Sequence, residues 1–196
     1  HIISRARTTK FFDGFYKVRN VYQSYFDKEN FSSYFYIEDM NEGNKKRKRK
    51  TRYFPYEGYA LRDDKQIGIP LFVMDVLCSL YYIRTMELKP GDTVIVPTNS
   101  GIHNYNLAVD IYEGEKMDTP LGEVGTILAK PRLKYESGIF RAKGELKIWM
   151  TDDERHIPII MKSKVVVGSF IVEMVDYYTD GPPKDKKYKD LFKLGR

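Results

Sequence analysis

A contrast of periods constrains this chain more than any other feature. Only one stretch, "IPLFVMDVLCSLYYIRTMELKPG", spaces its apolar residues as a helix does, and the segments on either side alternate as strands do. Within it Val73, Val76, Leu77, Leu80 and Ile83 fall three and four residues apart. Pro70 stands where a first helical turn accepts proline, and Pro90-Gly91 ends the pattern. This predicts one substantial helix over about residues 71–86.

Ahead of that helix, the odd positions Phe15, Lys17, Arg19, Val21, Gln23 and Tyr25 are set against a more apolar even series, a two-residue rhythm. "NFSSYFYIED" and "TRYFPYEGYAL" read as further strands, and Pro55 places the second at an edge or ends it early. Beyond the helix, "DTVIVPT" and "HNYNLAVDIYE" are divided by "NSG", whose residues suit a tight hairpin. "VGTILAKPRLKY", "IFRAKGELKIWM" and "IPIIMKSKVVV" follow with short turns between them, so the pairing is expected to be antiparallel. The expected fold is mainly β: a strongly curved antiparallel sheet or partly open barrel with the one helix packed on it. At 196 residues, one domain over 1–178 can house a single core, followed by a basic, extended tail over 179–196.

The net charge of +6 is concentrated. The run "KKRKRK", Lys45 to Lys50, carries six positive charges by itself, as many as the whole net charge. Such a run can attract phosphate backbones or an anionic membrane surface. Like charges also resist packing, and the flanking strands make a solvated hairpin loop the expectation here. Cys78 is the only cysteine, which excludes a disulfide framework. No continuous apolar stretch reaches the roughly 20 residues that span a bilayer as a helix.

The densest group of chemistry-bearing side chains is "TDDERH", with Asp152, Asp153, Glu154 and His156. In "GELKIWM" before it, Leu146, Ile148 and Met150 form an aliphatic face opposite Glu145, Lys147 and Trp149. After it, Ile160, Lys162 and Lys164 alternate with Met161, Ser163 and Val165, and Gly168 interrupts the run. Two half-buried strands joined by a polar turn account for this pattern. Adjacent acids on extended backbone point to opposite faces, and the glycine-containing spacing of a calcium loop is absent. Ser100 and His103 flank the "NSG" turn, and Cys78 lies in the apolar zone of the helix, where a thiol is inert. No phosphate-binding glycine loop and no Cys/His zinc spacing occurs. No catalytic, cofactor-binding or metal-ligating residue is therefore assigned, and no specific nucleic-acid partner is expected.

Three blocks, "ARTTKFFDGFYKVRN", "DVLCSLYYIRT" and "GIFRAKGELKIWMTDDERHIPIIMKSKVVVGS", together resemble the bacterial exported-protein family called domain of unknown function 3108. They run in the family's order from about Ala6 to Tyr177. Members usually carry a strand hairpin and a signal peptide ahead of the first block, so the expectation is either that the N-terminal strands are trimmed here or that they lie elsewhere in the chain. The "KKRKRK" insert and the tail "YTDGPPKDKKYKDLFKLGR" fall outside the shared pattern. The resemblance implies export to the periplasm or the outer-membrane face and a β-rich single domain. It brings no catalytic residues with it.

Two functional expectations follow. The first is a binding or carrier module for an apolar or amphipathic ligand, motivated by 16 Tyr, 11 Phe and one Trp. The second is a structural protein docking on an envelope partner, a protein, glycan or lipid, through surface aromatics and the basic run. An enzyme ranks third. An apolar pocket within the sheet favours the carrier, and a filled interior with an exposed aromatic patch favours docking.

Overall fold

From Arg19 the even residues Asn20, Tyr22 and Ser24 turn inward while Val21, Gln23 and Tyr25 face out, so the two-residue rhythm read from the sequence is realised as a half-buried strand. The computed structural model describes residues 1–8, 10–133, 145–164 and 169–177. The interruption at Gly168 and the tail over 179–196 lie outside the described residues.

The first sheet is a six-stranded antiparallel meander of β1 (Ile2–Arg7), β2 (Arg19–Phe26), β3 (Ser33–Glu42), β4 (Lys45–Phe54), β5 (Tyr59–Arg62) and β6 (Lys65–Gly68), ordered as in the chain. A four-residue helix α1 (Lys10–Asp13) lies between β1 and β2. Next come a short strand β7 (Met74–Asp75) and helix α2 (Val76–Ile83). They are followed by β8 (Thr93–Ser100), β9 (His103–Glu113), a small hairpin of β10 (Met117–Thr119) and β11 (Gly122–Val124), then β12 (Thr126–Pro131), β13 (Leu146–Thr151), β14 (Pro158–Lys164) and β15 (Ser169–Glu173). The second sheet runs β15-β14-β13-β12-β9-β8-β7, antiparallel except for the parallel pairing of β7 with β8.

The fold is thus mainly β with antiparallel sheets, as expected, but among the described residues its strands form two large sheets and one small hairpin and close no barrel. The helix is also shorter than expected: eight residues, not a substantial element over 71–86. Tertiary hydrogen bonds hold the preceding residues extended. The Val73 carbonyl accepts from the Ser33 N–H, the Asp75 N–H donates to the Ser33 hydroxyl, and Met74 and Asp75 pair with Thr98 and Asn99. Pro70 therefore lies in the approach to the helix, Phe72 takes a left-handed φ of 55°, and Val73 packs as core from a non-helical backbone. At the other end the chain leaves α2 well before Pro90, through tight turns in which the Thr85 and Met86 N–H groups donate to Tyr82 and Ile83.

The basic run is likewise a strand. Lys45 to Lys50 form the first six residues of β4, and the expectation of a hairpin loop is corrected. The sequence of the partner strand supplies the reason. In register, Glu42 stands opposite Lys45, Asp39 opposite Lys48 and Glu38 opposite Arg49, so the like charges that would repel within one strand are offset across the pair. Pro55 does end β4. The "NSG" hairpin is tighter than expected, since Ser100 pairs with His103 and only Gly101 and Ile102 turn the chain. The φ of 68° at Gly101 supplies the conformation that such a two-residue turn needs.

Two cores meet at the helix. Met74, Cys78, Ile83 and the inward residues of β8, β9, β12 and β13 form one, and Val73, Val76, Leu77 with Tyr22, Tyr36, Met40, Tyr53 and Ala60 of the first sheet form the other. The joint between them is Asp75, fully buried. One carboxylate oxygen accepts from the Leu77 and Cys78 backbone N–H groups at 3.0 and 3.1 Å, capping α2. The other accepts from Ser24 of β2 at 2.6 Å and Ser33 of β3 at 2.7 Å. Burial raises the Asp75 pKa above its ordinary 3.8, and these four bonds oppose the rise.

The strand pair around "TDDERH" is regular in its first part, with Leu146, Lys147, Ile148 and Trp149 opposite Ser163, Lys162, Met161 and Ile160. A shift between Trp149 and Met150 then brings Met150 opposite Pro158 and bulges the pair at Ile159. Leu146, Ile148 and Met150 face the core, as their alternation predicts.

Truncating Ile148 to Ala should cost about 2–5 kcal/mol in urea unfolding. Asp75→Ala should cost about 3 kcal/mol or more, because the Ser24 and Ser33 hydroxyl protons and the Leu77 and Cys78 N–H groups lose their acceptor. Asp75→Asn should cost less, since an amide keeps an acceptor for the helix and offers a donor to the serines. The native protein holds the Asp75 proton above pH 3.8 where the unfolded chain releases it, so this contribution to stability is lost as pH rises. The Asn variant should lack that loss when its stability is compared across acidic and neutral pH.

Candidate functional site

In "TDDERH" the residues do not converge. Asp152 and Glu154 are exposed, Asp153 is half-buried and His156 is buried. Asp153 accepts from the Thr151 hydroxyl at 2.6 Å, from the Arg155 N–H at 3.1 Å and from the Arg155 guanidinium. Burial raises its pKa, but these donors and the Arg155 charge more than offset that and leave it below the ordinary value. The His156 Nδ1 lies 3.0 Å from the Arg84 carbonyl, and the Arg84 guanidinium donates to the carbonyls of Arg155 and His156. The turn therefore fastens the second sheet to the end of α2. Among the described residues no group of three or more His, Cys, Asp or Glu side chains could hold a metal ion.

Ser100 and His103 come together as a cross-strand pair at the hairpin end. Cys78 is fully buried, and its thiol is pushed well above its ordinary pKa, chiefly by that burial and then by the Asp75 charge. It is a packed side chain with no nucleophilic character.

Perturbed and paired groups concentrate in the interior. Glu38 and Arg62 form a buried ion pair, and Arg62 also donates to Thr51 at 2.9 Å. The Tyr53 hydroxyl donates to Asn99 at 3.0 Å, linking the two sheets. Tyr36 and Tyr53 are held far above the ordinary tyrosine pKa by burial, with nearby carboxylates adding to it. The Glu38–Arg62 pair is enclosed on the inner face of the first sheet, and the Tyr53–Asn99 bond sets how the two sheets meet.

Two concave features stand out among the described residues. Between α2 and the inner face of the second sheet, an apolar cavity is lined by Leu80, Ile83, Leu107, Val109, Ile148 and their neighbours, but it encloses only about 30 Å³. That is room for about two water molecules. The second is an aromatic groove of about 560 Å³ at one end of the first sheet, lined by Tyr25, Phe26, Tyr34, Phe35, Tyr53, Phe54 and Tyr56, with His1, Arg52, Pro55 and Glu57. Its walls are preorganised. His1 stacks on Tyr25 at 3.9 Å, Phe35 meets Tyr25 edge-on at 6.4 Å, and Phe54 stacks on Tyr59 at 4.6 Å. The Arg52 guanidinium lies 5.7 Å from the Phe35 ring and 4.8 Å from the Phe54 ring, within cation–π range of both.

Sequence reasoning did not find this groove. Strand register builds it, because Tyr25, Phe35 and Arg52 are direct cross-strand neighbours. The one legible signal was the abundance of aromatic residues. Asp75 was missed as well, although an Asp immediately before "VLCSL" has the form of a helix N-cap.

Neither the curated proteins nor the solved structures contain a match to this chain. The model of one family, described as "Protein of unknown function (DUF3108)", matches residues 1–175 of the 196. The motifs that carry the resemblance, the strand pair around "TDDERH" and the helix capped by Asp75, fall within that span, and the chain belongs to this family.

Proposed function

We propose that the protein is an exported, periplasmic or outer-membrane-associated binding module of the cell envelope, without enzymatic chemistry. Its ligand is an apolar or amphipathic small molecule seated in the aromatic groove of the first sheet. The observation that carries this reading is the groove itself: about 560 Å³ falls in the range of small-molecule sites, and rigid aromatic walls with the Arg52 guanidinium against two of the rings and the Glu57 carboxylate in the lining suit a ligand having an apolar body and a polar end. The interior cavity beside α2 offers only about 30 Å³, which argues against a carrier that encloses its cargo between helix and sheet.

The placement of titratable groups supports the non-enzymatic part. Asp75, Tyr36 and Cys78, among the groups most shifted by burial, belong to the joint between the sheets, and Tyr53, which lines the groove, has its hydroxyl engaged by Asn99. A catalytic site would place such groups in the groove. Export rests on the resemblance to an exported family.

Fluorescence titration with anilinonaphthalene sulfonate, an aromatic anion, tests the site. The protein should bind the probe saturably. Phe35→Ala and Phe54→Ala should each weaken binding about tenfold, the loss expected when one aromatic wall is removed. Tyr112→Ala, which alters an exposed ring on the second sheet, should leave affinity unchanged. Equal affinities for all these variants would overturn the assignment.

A further inference from the structure

The outward face of the first sheet carries two parallel lines of cations. Antiparallel partners share a face, so the register places Arg7, Arg19, Asn41 and Lys46 in one row across the sheet. Arg5, Val21, Asp39 and Lys48 form the next row, and Ile3, Gln23, Ile37 and Lys50 the third. A fourth row holds Tyr25, Phe35, Arg52 and Leu61. Arg5 and Arg7 on β1 and Lys46, Lys48, Lys50 and Arg52 on β4 are all exposed. Successive cations on β4 are about 7 Å apart, and the two lines are separated by about three strand spacings, roughly 14 Å. Two carboxylates oppose them: Asp39 lies 3.9 Å from Lys48, and Asp13 pairs with Arg19.

Between the lines Val21, Ile37 and Phe35 are half-buried and Tyr25 is 37% exposed, interleaved with the polar Arg19, Gln23, Asp39 and Asn41, and Ile3 beside Arg5 is 41% exposed. We propose that this face is a docking surface for an anionic lipid bilayer, with the two lines of cations set on lipid phosphates and the aromatic row at one end resting in the headgroup region. The pattern is a plane and not a track. A single-stranded nucleic acid would follow one line and need aromatic side chains spaced along it for its bases. Here Tyr25 and Phe35 lie in a row that crosses the strands, so a chain running along β4 would meet them at one point only. A bilayer engages both lines at once. It also accepts ring edges at its interface, where tyrosine is favoured, and it binds clustered Lys and Arg by the negative surface potential of its lipids.

The inference does not depend on a ligand in the aromatic groove, because Lys46, Lys48 and Lys50 lie outside the groove lining. Co-sedimentation with phosphatidylcholine vesicles containing about 30 mol % phosphatidylglycerol tests it, with pure phosphatidylcholine vesicles as reference. The native protein should bind the anionic vesicles only. The triple variant Lys46→Gln, Lys48→Gln, Lys50→Gln should lose affinity on the order of a hundredfold, about fivefold per cation. The matched triple Lys45→Gln, Arg47→Gln, Lys65→Gln removes equal charge from the opposite face and should lose little. A second measurement needs no variant: amine labelling read by mass spectrometry should show Lys46, Lys48 and Lys50 protected by anionic vesicles and Lys45 and Lys65 still reactive. Absence of vesicle binding, equal losses in the two triples, unselective protection, or tighter binding to an oligonucleotide than to the anionic vesicles would each overturn the proposal.

Discussion

The buried carboxylate of Asp75 holds this structure together. It accepts from two serines of the first sheet and two backbone N–H groups of α2, while its own residue pairs with Asn99 at the edge of the second sheet. A buried acid is costly unless its oxygens are satisfied, and this one is satisfied only when the helix and the first sheet are both in place. The contact is therefore cooperative: losing either leaves a buried acid short of donors, and the strand pairing with Asn99 ties the same residue to the second sheet. Ser79 extends it, donating to the Asp75 carbonyl and lying 2.9 Å from the Thr98 hydroxyl.

Around this joint the chain divides its labour. The second sheet takes the aliphatic residues, with Val96, Val109, Ile111, Ile127, Ile148 and Met150 forming a dense core against α2. The first sheet takes tyrosines and polar groups on its inner face and aromatic and cationic residues on its outer face. Tyr22, Tyr36 and Tyr53 fill volume as apolar residues do, yet bring hydroxyls that must be placed, as Tyr53 does on Asn99. The Glu38–Arg62 pair has the same character, fixing how β3 and β5 sit relative to each other while adding little net stability for its burial. A sheet specified this way is held rigid from within, which leaves its outer face free to carry exposed rings and unbalanced charge.

The basic run shows how one strand depends on another. Six consecutive cations have no alternation to read, so by itself the run has the signature of a loop. Placed beside β3 it becomes a regular strand, because Glu38, Asp39 and Glu42 fall opposite Arg49, Lys48 and Lys45. Once extended, it separates its charges by face, with Lys46, Lys48 and Lys50 directed outward. A solvated loop would have presented the same residues with no common plane. The proposed membrane face thus arises from register, as does the aromatic groove at its end.

The sequence by itself determined the mainly β character, the antiparallel pairing, the hairpin around "TDDERH" with Leu146, Ile148 and Met150 inward, the place of the single amphipathic helical segment and the family. The family rests on a resemblance of sequence blocks; the others rest on local periodicity, which covalent geometry imposes on any chain that buries one face. Tertiary structure alone decided the rest. It fixed where α2 starts, because Ser33 and Thr98 hold residues 73–75 extended against their helical spacing. It divided the strands between two sheets where local pattern suggested one. It made His156 of the polar turn a clasp on the Arg84 carbonyl, 72 residues away in the chain. It also brought Tyr25, Phe35 and Arg52 side by side. These outcomes depend on which distant groups supply hydrogen bonds and opposite charges, and the period of a single segment carries no record of its partners.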